Sequence, residues 1–319
     1  MFEQNTVLLR QMYEQEDMGG RQIAEDLKGM TEEAERVLYL KKAHNALIAR
    51  FETLPLWNGT VPQWQEGEGY EHQNRPQIAY FPALKRRRRS CVLVSPGGGF
   101  NVKAISHEGL PIVHMLGEHG IDAAILDYRV KPYTTRVSVE DIKRALRLIR
   151  SMSQVLDIDP EHIGVQGSSA GGILSALAAV HFDQGNAEDA DPVERASSRP
   201  NAAMLSYGAF SMSSQLTNGL VSIISDPDIA DLHYASPDKY VTPQTPPFFM
   251  WQGSDQDDPR LMSIMIRALA EAGVRCEAHL FPFCPHGTGM TDGYGGGYIN
   301  EHVSHWRELM LEWLDLYGF

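Results

Sequence analysis

Ser169 stands in Gly167-Ser-Ser-Ala-Gly171, a G-x-S-x-G pentapeptide. The segments on either side decide whether a serine so placed can act as a nucleophile. Ile163 to Gln166 has the signal of a short apolar strand, and Gly172 to Val180 is a strong helix former. A strand that turns sharply into a helix holds its serine in a strained backbone conformation tolerated only beside small residues, and aims the hydroxyl away from the sheet. The first helical turn also offers unpaired N–H groups to a developing oxyanion.

A serine hydroxyl needs a base, and the base needs an acid to orient it. In the chain order serine, acid, histidine, the histidine follows the last strand of a sheet. The strand-like Glu277-Ala-His-Leu-Phe281 runs into Pro282-Phe-Cys-Pro-His286-Gly-Thr-Gly289, which puts His286 on a tight loop at the strand's C-terminal end. Sheet enzymes keep their reactive groups at that end. There His286 would take the Ser169 proton and return it to a leaving alkoxide.

The acid is expected after the preceding strand, Pro247 to Gln252, where Gly253-Ser-Asp255-Gln-Asp257-Asp258-Pro-Arg260 offers three aspartates. One would accept from the imidazole, and the others would be turn residues or helix caps. Asp258 is the first expectation because Asp-Pro followed by Arg-Leu leads directly into a helix, with Asp255 next and Asp257 third. For the oxyanion, the N–H of Ala170 needs a second donor. The triple glycine Gly97-Gly98-Gly99, after the strand Cys91 to Ser95, brings backbone N–H groups close without side-chain hindrance. Its spacing fits neither a P-loop nor a dinucleotide fingerprint.

Strand and helix signals alternate from residue 77 onward. Strands are predicted at 77–81, 91–95, 123–126, 163–166, 202–205, 248–252 and 276–281, and helices at 108–119, 139–155, 261–272 and 300–317. Alternation of this kind predicts an α/β fold with a doubly wound, mostly parallel sheet and helices on both faces. Residues 1–52 read as a helical extension broken at Gly19-Gly20, with Thr31 as a candidate N-cap, serving as a lid or in oligomerisation. Residues 53–319 read as the catalytic domain, and the turn-rich segment from Leu54 to Gln63 marks the boundary.

The chain has 319 residues, 43% of them apolar, and a formal net charge of −13. That charge argues against nucleic acid or an anionic membrane as a partner. The basic run Lys85 to Arg89 directly precedes an apolar strand and reads as a solvated loop. No window approaches the ~18 apolar residues of a membrane span. The N-terminus lacks a basic segment followed by an apolar one, so a cytoplasmic location is expected. Three cysteines are too few for a disulfide framework.

Taken together, the chain resembles the acetyl-esterase branch of the α/β-hydrolases, the acetylxylan-esterase-like or xylanase-B-like group (BD-FAE-like). The resemblance rests on Pro55-Leu-Trp57, Ser95 to Phe100, His107-Glu-Gly109, Asp127-Tyr-Arg129 with Asp141 to Ala145, Gly167 to Gly172, Thr245-Pro-Pro247 and Pro285 to Gly289. It implies an α/β-hydrolase fold over residues 54–319, with Ser169 as nucleophile, His286 as base, Gly98, Gly99 and Ala170 as oxyanion donors, and an Asp-Asp-Pro tract that again points to Asp258. The inserted Asp255-Gln256 departs from that pattern. A serine esterase needing no metal or cofactor follows, acting on a small-molecule ester with a short acyl group, above all acetyl esters of sugars or oligosaccharides. Competing readings are a general carboxylesterase or a peptidase of the same fold, and a binding protein on a dead hydrolase scaffold.

Trp57, Phe100, Trp251, Tyr294 and Tyr298 are candidates for a sugar platform, and Gly293 to Tyr298 for a pocket wall. His107-Glu108 is expected on the oxyanion-loop side of the sheet, capping the following helix ahead of the alternative of bordering the pocket; Arg129 and Asp141 are expected to form a structural pair, and the N-terminal helices to support a homo-oligomer.

Overall fold

Apolar runs such as Cys91-Val-Leu-Val94 and Ala202-Ala-Met-Leu205 can be buried along their whole length only in strands covered on both faces. A computed structural model describes residues 2–214, 216, 229–293 and 298–319. Its strands are β1 (Thr53–Pro55), β2 (Gln77–Phe81), β3 (Cys91–Ser95), β4 (Asp122–Asp127), β5 (Ile163–Ser168), β6 (Ala202–Ser206), β7 (Phe248–Gly253) and β8 (Cys276–Phe281). They form one sheet in the order β1-β2-β4-β3-β5-β6-β7-β8. The β1–β2 and β2–β4 pairings are antiparallel and the rest parallel. Every residue of β3, β4, β5, β6 and β7 is buried.

The helices are α1 (Glu3–Glu14), α2 (Gly20–Leu27), α3 (Glu33–Ile48), α4 (Ile105–Glu108), α5 (Leu110–Glu118), α6 (Thr135–Ser151), α7 (Ser153–Leu156), α8 (Ala170–Val180), α9 (Ile229–Tyr234), α10 (Pro259–Glu271), α11 (Glu301–Ser304) and α12 (Trp306–Leu316). Alternate strand residues feed two cores, as the two-residue period of a strand requires. Leu93, Val165, Leu205 and Met250 pack with α6, α8 and α10. Val92, Val94, Met204 and Phe249 pack on the other face with α1, α5 and α12.

Several boundaries differ from the sequence reading. The helix expected over 108–119 is broken at Gly109 into α4 and α5, and Pro111 sits in the first turn of α5. The helix expected from Val139 starts at Thr135, because Ser138 donates to the Arg129 carbonyl at 2.7 Å and draws the first turn onto the loop after β4. It ends at Ser151, and Asp157 closes the short α7 in the left-handed region. The last helix is divided at His305. Three-residue β1, too short to give a periodic signal, pairs Thr53 with Ala79.

The N-terminal helices dock on the rest of the chain. Asn5 donates to the carbonyls of Glu52 (2.8 Å) and Tyr80 (2.9 Å) and accepts from the Glu52 N–H (2.8 Å), tying α1 to the linker after α3 and to β2. Thr31 is not the cap of α3; Glu32 holds that position, without a side-chain bond. Among the described residues no helix is long and apolar enough to cross a membrane.

Candidate active site

The sheet's central strand ends on the nucleophile elbow. Ser169 has φ 54° and ψ −121°, a region costly for a side-chain-bearing residue, and its N–H is held by the Ser206 carbonyl of β6 at 2.9 Å. The turn closes because the backbones of β3 and α8 approach without an intervening side chain. A Cβ on Gly171 would lie 1.9 Å from the Ser95 carbonyl oxygen.

Ser169 Oγ lies 2.7 Å from His286 Nε2, and His286 Nδ1 lies 2.7 Å from Asp257 Oδ1. The expectation that Asp258 would face the imidazole is therefore corrected. Asp258 is the N-cap of α10, accepting from the Arg260 N–H at 2.9 Å and pairing with its guanidinium at 2.6 Å. The reason is local: Pro259 occupies the first helical position, which makes the residue before it the cap. That signal was in the sequence, but it leaves Asp255 and Asp257 open, and only the contact with His286 singles out Asp257.

The two residues that departed from the family pattern grip the histidine loop. Asp255 Oδ1 accepts from the Phe283 N–H at 3.0 Å, and Gln256 Oε1 accepts from the His286 N–H at 3.1 Å. Burial works against the charged imidazole, but the hydrogen bond and charge of Asp257, with the more distant charge of Glu108, outweigh it and raise the His286 pKa.

Glu108 does not cap α5, whose N-cap Gly109 has no side-chain bond. It is buried beneath the glycine loop, where Oε2 accepts from the Gly97 N–H at 2.8 Å and Oε1 from the Tyr207 hydroxyl at 2.9 Å. The same hydroxyl accepts from the Gly289 N–H at 3.0 Å, so one carboxylate and one phenol join the glycine loop, the end of β6 and the histidine loop. Burial and the Glu108 charge push the Tyr207 pKa well up, which keeps the phenol protonated as a donor. Tyr207 follows a strand without any motif, and sequence reasoning missed it. With Gly97 committed to Glu108, the N–H groups of Gly98, Gly99 and Ala170 have no protein acceptor among the described residues. Gly98 holds φ 123°, a conformation that favours glycine.

Residues 79–263, more than half the chain, match the family model described as BD-FAE. The chain belongs to the BD-FAE family. It is 30% identical over 253 residues to endo-1,4-beta-xylanase B of Butyrivibrio fibrisolvens, covering 73% of this chain and 39% of that protein. It is 26% identical over 208 residues to the acetylxylan esterase of Xylanibacter ruminicola, covering 61% and 40%. The chain thus spans about two fifths of the length of these two curated relatives. A solved structure, the acetyl ester-xyloside bifunctional hydrolase from Caldicellulosiruptor lactoaceticus, superposes with a TM-score of 0.75 at 33% identity, covering 84% of this chain and 97% of that one. The fold is that of the α/β-hydrolases.

Two cavities flank the Ser169–His286 pair of this BD-FAE chain. One, of about 470 Å³, is bounded by α8, the end of β6 and the acid loop, and carries the side chains of Gln252 and Gln256. The other, of about 550 Å³, lies between the glycine loop, inside the span matched by the family, and the N-terminal helices, which are outside it.

Of the expected sugar platform, none of the described residues lines either cavity. Trp251 is buried and stacked on Trp306 at 4.9 Å, and Phe100 is buried against Tyr128, so both are core residues. Trp57 lies against the guanidinium groups of Arg129 and Arg144 and lines neither cavity. Tyr298 donates to the Phe283 carbonyl, while Tyr294 and most of the Gly293 to Tyr298 segment lie outside the described residues. Arg129 and Asp141 form the expected buried pair at 2.6 Å.

Proposed function

We propose that the chain is a serine carboxylic-ester hydrolase working through an acyl-serine. Ser169 is the nucleophile, His286 the base and then acid, Asp257 the residue that orients His286, and Gly98, Gly99 and Ala170 the oxyanion donors. The observation that carries this reading is the continuous relay from Ser169 Oγ through His286 to Asp257, two contacts of 2.7 Å at a strained elbow.

In the first half-reaction Ser169 Oγ attacks the ester carbonyl carbon as its proton passes to His286 Nε2, and the carbonyl oxygen becomes an oxyanion facing the free N–H groups. The imidazolium, paired with Asp257, then gives that proton to the departing alkoxide as the C–O bond breaks. Water repeats the sequence against the acyl-serine, releasing the acid and restoring the serine.

The names of the relatives favour short acyl groups, with acetyl esters of sugars or oligosaccharides as the natural class. Three unpaired cysteines, Cys91, Cys276 and Cys284, favour a reducing compartment such as the cytoplasm. Leu9, Met12, Leu47 and Ile48 of the extension are buried within this chain, which favours a wall or lid role over homo-oligomerisation.

A fluorophosphonate probe should label the wild type and leave Ser169→Ala unlabelled. A wild type that never labels would sink the hydrolase reading in favour of a binding role.

A further inference from the structure

The larger cavity beside the catalytic pair has a wall that the family span does not contain. Ile23, Ala24 and Leu27 of α2 and Leu40 and His44 of α3 face the glycine loop across about 550 Å³, with Ser169 and His286 at its floor. An acetyl group fills a small part of such a space, whose size falls in the range of pockets for drug-sized ligands.

That wall is aliphatic at Ile23, Ala24, Leu27 and Leu40, and its one polar side chain is the imidazole of His44. His44 is buried, neither ring nitrogen has a hydrogen-bond partner among the described residues, and burial together with the charges of His107 and Lys103 pushes its pKa down to about 3. The imidazole is therefore neutral near pH 7. The Glu108 carboxylate that borders the cavity is already committed to Gly97 and Tyr207. A polyhydroxylated group would find hydroxyl partners only on the opposite side, at Ser106 and His107, and against Ile23, Ala24, Leu27 and Leu40 it would lose water partners that these side chains do not replace. The glutamine-bearing cavity on the other side of the pair suits a polar group better.

We propose that α2 and α3 form a specificity pocket for an apolar substituent of the ester, of alkyl or aryl size, so that the enzyme selects substrates with one bulky apolar side. The inference rests on the serine-esterase reading above and departs from its acetyl-sugar class, since an acetylated sugar has no bulky apolar side. The apolar group can be either the acyl chain or the alcohol of the ester, and the substrates separate these.

The test is Ala24→Trp, an exposed position on α2 where an indole can fill the cavity without entering the core. Leu27→Trp on the same wall serves if the first variant loses its helical signal. Two ratios of kcat/KM are read in wild type and variant: p-nitrophenyl hexanoate over p-nitrophenyl acetate, and 1-naphthyl acetate over methyl acetate. A fall of tenfold or more, written as about 1.4 kcal/mol, in the first ratio assigns the pocket to the acyl side. The same fall in the second assigns it to the alcohol side. Both ratios unchanged within about twofold would overturn the proposal. If the wild type hydrolyses none of these esters and resists the fluorophosphonate, the esterase reading fails instead. The pocket is then judged by calorimetry with 1-naphthol, where equal affinity of wild type and variant would overturn it too.

Discussion

Asp257 and Asp258 are chemically identical neighbours with different partners, and the difference is measurable. Asp257 contacts the imidazole, whereas Asp258 holds the end of α10. Asp257→Asn should lower kcat by about 10³- to 10⁴-fold, because the amide no longer stabilises the correct tautomer or the imidazolium. Asp258→Ala should cost about 1 kcal/mol of stability through the lost cap, with kcat held within about threefold. Thermal melts and steady-state kinetics on both variants would reverse the assignment if the larger kinetic loss fell on Asp258.

His286 carries its own pH signature. As a base it must be neutral, so activity rises with pH through its pKa. Because that pKa is raised above the ordinary value near 6.5, the acid limb of kcat/KM should have its midpoint above that value. Glu108→Gln removes a charge that favours the imidazolium and should move the midpoint down. A midpoint that stays in place, or rises, would show that Glu108 does not act on the histidine electrostatically.

At the scale of elements, the site is assembled where the C-terminal ends of parallel strands meet, and each loop there is tied to another. The acid loop after β7 holds the histidine loop after β8 through Asp255 and Gln256, and Glu108 with Tyr207 joins both sides beneath them. The N-terminal helices obey the same rule, with Asn5 as their main polar fastener. Asn5→Ala leaves the buried Tyr80 carbonyl without that donor and should cost about 2–4 kcal/mol over its three bonds. The measurements are the urea midpoint and amide exchange across α1. An unchanged midpoint and unchanged protection would mean that α1 is docked by its apolar face alone.

Across the whole molecule, the two cores have different consequences. One, between the sheet and α6, α8 and α10, supports the elbow. The other includes α1 and the end of α3, so the extension that walls the larger cavity is anchored in the interior of the protein. Ile23 and Leu27 are only half-buried and Ala24 is exposed. Substitutions on this face of α2 therefore change the cavity wall while leaving the two cores intact.

The sequence by itself determined the sheet, the elbow serine and the histidine. Each rests on local physics: unbroken apolar runs make buried strands, small residues permit a strained turn, and a loop after the last strand must emerge at the reactive edge. The order of the segments determined where the acid would be found. Which aspartate it is, what Glu108 and Tyr207 do, and what faces the second cavity were decided only in three dimensions. These depend on side-chain direction at single positions and on contacts between residues far apart in the chain, such as Glu108 with Tyr207. Periodicity and composition carry no information about such contacts, whose partners are chosen by the packing of the whole sheet.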